Sequence, residues 1–168
     1  MRETWALLMF LALVGCERED STSAPSSMAR LIEAGWSFGF CLGPCNGTLT
    51  FQNESLVYRV TDREGAQVLA SSQARLTASG TERLASLVSS LPPALDETYG
   101  CPDCADAGAA YVVVSREGAN RRSSYEYPNP PRELAQLDAF LKEIMESMGA
   151  CRSTALVTLE PGCAAVPN

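Results

Sequence analysis

Apolar and polar positions change period several times along this chain, and each change marks an element. Arg30 to Phe40 is apolar and aromatic around Gly35 and Gly39, which predicts a leading strand. Trp36, Phe38 and Phe40 alternate within it, so their rings are expected on one core-facing side. Strand-like blocks follow at Gly47 to Phe51, Leu56 to Thr61 and Ala66 to Leu76. Polar, turn-rich separators, Gln52 to Ser55 and Asp62 to Gly65, divide them. The block predicts an antiparallel meander.

The period then lengthens. Ser79-Gly80-Thr81-Glu82 fits a capping box with Ser79 as N-cap, and Leu84, Leu87, Val88 and Leu91 share a helical face that Pro92-Pro93 terminates. A second hairpin is expected from Ala110 to Arg116 and Arg121 to Tyr127, turning over Glu117 to Asn120. Asn129 with Pro130 in the first turn predicts the start of another helix. Its apolar stripe is Leu134, Leu137, Leu141, Ile144, Met145 and Met148, and Gly149 ends it; the two methionines read as core filler. A β-like segment at Leu156 to Leu159 precedes the C-terminus. The expectation is an α+β domain: an antiparallel sheet with two helices packed on one face, supported by disulfides. The expected division is a signal peptide (1–15), a lipidated cysteine with a flexible tether (16–27), the α+β domain (28–153) and a C-terminal tail (154–168).

Composition narrows the chemistry. With 46% hydrophobic and 20% charged residues over 168 positions, the chain has the makings of one domain with a real core. It contains no histidine, which removes Ser-His and Cys-His nucleophile pairs and His-ligated metals. The net charge of -7 gives no basic surface for phosphates, so nucleic acid is not expected as a partner. No catalytic constellation, cofactor fingerprint or metal-ligand motif is expected. Asp96, Glu97, Asp103 and Asp106 cluster in sequence, but the staggered calcium-loop pattern is absent, and a solvated acidic loop is expected.

The first sixteen residues carry an address. Arg2 supplies positive charge, Trp5 to Val14 is an apolar stretch too short to span a bilayer, and Leu13-Val14-Gly15-Cys16 follows. That tetrad resembles the bacterial lipobox, which implies cleavage before Cys16 and a diacylglyceryl group on its sulfur. The new terminus, Cys16-Glu17-Arg18-Glu19-Asp20 and a Ser-rich run, is too polar to pack and is expected to be a flexible tether. The resemblance implies a bacterial cell envelope protein, held to a membrane by lipid and facing the periplasm or the surface. Glu17, where Asp would favour inner-membrane retention, leans towards the outer membrane.

Six further cysteines remain: Cys41, Cys45, Cys101, Cys104, Cys151 and Cys163. An even number in an exported domain is read first as disulfides. The close spacings, with Gly or Pro inside the first two pairs, suggest sequential pairing, although sequence alone does not select a connectivity. Two sharper readings use the same residues. Cys101-Pro102-Asp103-Cys104 has the spacing of a thiol-disulfide oxidoreductase, but no strand-to-helix junction is expected there to lower a thiol pKa. Cys41, Cys45, Cys101 and Cys104 also have permissible spacing for a four-thiolate zinc site, against which an oxidising compartment weighs.

Phe40-Cys41-Leu42-Gly43-Pro44-Cys45 opening a meander, then a capped helix, then a hairpin running into a Pro130-Pro131-Arg132-Glu133-Leu134 helix, resembles an uncharacterised domain family of bacterial envelope lipoproteins. The resemblance covers Trp36 to Ser147 and implies no activity and no site residues. Together these readings predict a non-enzymatic envelope module that binds another protein or a cell-wall component. Asp103 and Asp106, on a loop stiffened by cysteines, are the candidate partner-binding residues.

Overall fold

The computed structural model describes residues 29–104 and 107–166. Cys16 and the expected signal peptide lie outside the described residues, as does Asp106. The chain runs through β1 (Arg30–Ser37), β2 (Asn46–Gln52), β3 (Ser55–Thr61), β4 (Val68–Leu76), α1 (Ala78–Ser89), β5 (Thr98–Tyr99), β6 (Ala109–Arg116), β7 (Ala119–Glu126), α2 (Ala135–Gly149) and β8 (Val157–Leu159).

The α+β class stands, but the sheet is much larger than a separate meander and hairpin imply. All the described strands join one sheet in the order β5-β7-β6-β1-β2-β3-β4-β8, antiparallel except for β5 beside β7. β1 holds the centre, with the meander on one flank and the hairpin on the other. One cross-strand row runs Ser123, Val112, Ala34, Leu49, Tyr58, Ser72, and all six side chains are buried. Period-two alternation repeats this on neighbouring rows. Leu31 and Ala34 are three apart and would otherwise face opposite sides; an irregularity between Leu31 and Glu33 in the pairing with β6 keeps both buried. Val88 and Leu91, with Leu137, Phe140, Leu141, Ile144 and Met148 of α2, complete a single hydrophobic core.

Three local expectations are corrected. The N-cap of α1 is Thr77, whose Oγ1 accepts from the Gly80 N–H at 3.1 Å. Ser79 lies inside the first turn, where its hydroxyl donates to the Ala155 carbonyl at 2.8 Å, so the capping box is not formed. α2 begins at Ala135, after a turn in which the Leu134 N–H bonds the Pro131 carbonyl at 2.9 Å. Two consecutive prolines disfavour helical backbone at the residue preceding each, which excludes Asn129 and Pro130 from a helix. The hairpin turn is only Glu117-Gly118, both at positive φ (52 and 79), the backbone twist that matches paired antiparallel strands; Ala119 and Asn120 already belong to β7.

The segment after α2 stays on the fold. β8 pairs with β4, Val157 is fully buried, Ala164 bridges Ser71, and the Val166 N–H bonds the Gly149 carbonyl at 2.9 Å.

Candidate functional site

The aromatic run at the end of β1 serves a cleft. β1 stops at Ser37, and the Phe38 N–H bonds the Cys45 carbonyl at 2.9 Å, so the chain turns away from the ladder beyond that point. Trp36 lies over Gly47, where a side chain would occupy the space of its indole. Trp36 and Phe38 are tilted with ring centroids 5.4 Å apart, and Phe38 meets Tyr127 edge-on at 5.1 Å. Trp36 and Phe38 are half-buried, whereas Phe40 is 73% exposed, which corrects the expectation that all three face the core.

These rings form one wall of a cleft of about 630 Å³ between the sheet and α2. Tyr58 and Tyr125 line its sheet side, Leu141, Met145 and Gly149 its helix side, and Ala165 and Val166 of the C-terminal segment close one edge. Size and aromatic lining are those of a small-ligand site. Its polar groups are few and fixed. Asp138, 5% exposed, accepts a hydrogen bond from the Tyr125 hydroxyl at 2.7 Å through Oδ1 and an ion pair from Lys142 Nζ at 2.9 Å through Oδ2. The same Lys142 ammonium sits 5.0 Å from the Tyr127 ring centroid. Glu146 and Arg152 stand exposed among the lining residues.

Burial sets the protonation of the tyrosines. Desolvation, then the Asp138 charge and the hydrogen bond to it, raise the Tyr125 pKa well above its ordinary value. Burial also raises Tyr58, partly offset by the Trp36 indole N–H donating to its oxygen. Both phenols are therefore neutral at physiological pH and offer hydroxyls, not phenolates.

The six expected cysteines pair sequentially as Cys41–Cys45, Cys101–Cys104 and Cys151–Cys163, with Cα separations of 5.6, 5.4 and 5.8 Å. Cys41, Cys45, Cys101 and Cys104 are thus bonded two and two and are not gathered as four zinc ligands. Among the described residues, no three potential metal ligands converge. Cys101 follows β5, and the Cys104 N–H bonds the Cys101 carbonyl at 3.1 Å in a tight turn, so no α-helix starts at Cys101.

Asp103 is exposed at φ 60, and its N–H bonds the Gly108 carbonyl at 3.2 Å. That carbonyl also accepts the Tyr127 N–H at 3.3 Å, and Gly108 packs directly against the Phe38 ring. Both clamped loops, around Cys41–Cys45 and Cys101–Cys104, therefore flank the Phe38 and Tyr127 corner of the cleft.

The sequence reading found the loops but missed the cleft. Tyr125 and Tyr127 two apart at the end of the expected strand, and Asp138 and Lys142 four apart on a helix, were the available signals. Asp138 in particular sits four residues after Leu134, on the stripe otherwise assigned to the core. On the opposite sheet face, Arg122 stacks over Tyr111 at 3.6 Å, and Tyr111 donates to Glu33 at 2.8 Å.

No protein-family model matches this chain, and comparison with curated proteins and with solved structures gave no significant match.

Proposed function

We propose that this chain is a bacterial envelope lipoprotein, anchored through Cys16, whose α+β domain is a binding module with its ligand site in the aromatic cleft. The observation that carries the reading is the pre-arranged set of Trp36, Phe38, Tyr58, Tyr125 and Tyr127 around a volume suited to a small ligand. The rings supply apolar contact at low conformational cost, and the Tyr125-Asp138-Lys142 chain fixes α2 against β7 at the base. Opposite charges alternate along the helix side at Asp138, Lys142 and Glu146, which favours a neutral or zwitterionic ligand with an aromatic or apolar body over a multiply charged one. That body is a side chain of a partner protein or a small amphiphile of the envelope. The resemblance to envelope-lipoprotein domains and the outer-membrane address belong to the same proposal.

The oxidoreductase and zinc readings have less support. The first lacks a helix N-terminus at Cys101, and the second needs four free thiolates where two disulfides stand.

Two measurements test the proposal. Intact mass of membrane-extracted protein is expected to show a chain beginning at Cys16 and carrying lipid. Titration with anilinonaphthalene sulfonate, a probe with an aromatic body, is expected to give saturable emission that weakens at least tenfold in Ala165→Phe. Ala165 is exposed and lines the cleft, so phenylalanine there fills the site without entering the core. Equal binding by that variant would remove the cleft as the site.

A further inference from the structure

Leu42 is 101% exposed, Phe40 73% and Val68 55%, and these are the large hydrophobic side chains left uncovered among the described residues. They are not scattered. Phe40 and Leu42 stand on the turn between β1 and β2, and Val68 pairs with Thr61, whose carbonyl accepts the Cys45 N–H at 2.9 Å. All three occupy one end of the sheet, and exposed apolar groups concentrated in this way mark a contact surface.

The turn is also held rigid. Cys41 is bonded to Cys45, which is 1% exposed, and Cys45 makes backbone hydrogen bonds to both Phe38 and Thr61. Phe40 and Leu42 are therefore presented outward by a fixed scaffold, so seating them elsewhere orders little new chain. The Arg63 guanidinium lies 5.0 Å from the centroid of the Phe40 ring, pairing a cation with an apolar face as at a membrane–water boundary.

We propose that this turn is a membrane-contacting tip, with Phe40 and Leu42 entering the headgroup and acyl boundary of the bilayer that the lipid on Cys16 also occupies. The inference rests on the lipoprotein reading for its anchor. Chain length permits the geometry. The thirteen residues from Cys16 to Met28 reach about 45 Å when extended, whereas the eight residues of β1 span about 26 Å. The lipid can therefore sit in the same bilayer as the tip although the chain enters the domain at Arg30, the opposite end of β1. Asp62 and Glu64 flank Arg63, so the contact is apolar and not a basic patch on anionic lipid.

The test uses the lipidated protein in phosphatidylcholine vesicles containing dibrominated phosphatidylcholine, with Leu42→Trp as reporter. Gln52→Trp, at the exposed last position of β2 at the far end of the sheet, is the control, and Trp36 emission of the parent protein is subtracted. The expected result is a blue-shifted Leu42→Trp emission that loses more than half its intensity to brominated lipid and is unchanged by salt, with Gln52→Trp unquenched. Unquenched Leu42→Trp emission, or equal quenching at both positions, would overturn the tip. If intact mass shows no lipid on Cys16, the anchor reading fails separately. The same probe is then read on unanchored protein mixed with the same vesicles, where an absent shift overturns the tip as well and a quenched, blue-shifted Leu42→Trp sustains it.

Discussion

Replacing Tyr125 with phenylalanine deletes one hydroxyl at the base of the cleft and leaves the ring in place. Tyr125 is 2% exposed and donates to Asp138 Oδ1 at 2.7 Å, so the variant leaves a buried carboxylate oxygen without this donor. Asp138 Oδ2 keeps Lys142 at 2.9 Å, which limits the damage to one charge-assisted hydrogen bond. Such a bond is worth about 1.5–3 kcal/mol, and the near-equal ring volume adds no substantial cavity cost. For a domain of this size that is a fall in Tm of roughly 5–9 °C. Urea denaturation at pH 7, followed by circular dichroism, reads the free energy, and Asp138→Asn in both backgrounds gives the coupling. The alkaline limb adds a check with a defined sign. Burial and Asp138 raise the native Tyr125 pKa, while the unfolded phenol ionises near its ordinary value of about 10. Deprotonation then favours the unfolded chain, so the contribution of Tyr125 is whole below about pH 10 and is lost as pH rises beyond it. Tyr125→Phe is expected to lose stability less steeply there, although Tyr58 and Tyr111, also raised, keep some slope. A change below about 0.5 kcal/mol at pH 7, or identical alkaline slopes, would refute the hydrogen-bonded carboxylate as a structural anchor of the cleft.

Thr77→Ala is expected to cost about 1 kcal/mol in the same assay, and more than Ser79→Ala, because only Thr77 caps α1; the reverse order would return the cap to Ser79. Non-reducing peptide mapping should recover the three sequential disulfides and no free thiol among the six cysteines. Replacing both Cys151 and Cys163 with alanine is expected to lower stability by about 3 kcal/mol in the chain-entropy account, and an unchanged denaturation midpoint would show that the C-terminal segment is held by its backbone pairing and packing without the disulfide.

Much of the fold was legible because strands and helices write their period into the chain. Leu56, Tyr58 and Val60 alternate because β3 buries one face, and Leu137, Leu141, Ile144 and Met148 recur at helical spacing because α2 buries one stripe. Local spacing also foreshadowed the disulfides, since short loops containing Gly or Pro keep their cysteines near one another. Element boundaries were less legible. The sequence pointed to Ser79 as the cap of α1, but Thr77 takes that place, its Oγ1 meeting the Gly80 N–H and the carbonyls of Ala155 and Leu156, far away in sequence.

The cleft belongs to tertiary structure alone. Trp36, Phe38, Tyr58, Tyr125 and Tyr127 come from three strands and the loops beyond them, and no local pattern says that β1 will lie between β2 and β6 and bring them together. Asp138 reads as an ordinary charge breaking an apolar stripe until β7 supplies the Tyr125 hydroxyl that makes its burial tolerable. Phe40 shows the converse. Its alternation with Trp36 and Phe38 promised a core position, but the covalent turn at Cys41–Cys45 ends the strand before it and leaves its ring in the open. Sequence by itself determined the order of the main elements and most of their buried faces, and it suggested the sequential cysteine pairing, because those follow from interactions close along the chain. Only the tertiary structure decided which aromatic rings enclose a site and which stand exposed, because that depends on strand order and on partners many residues distant.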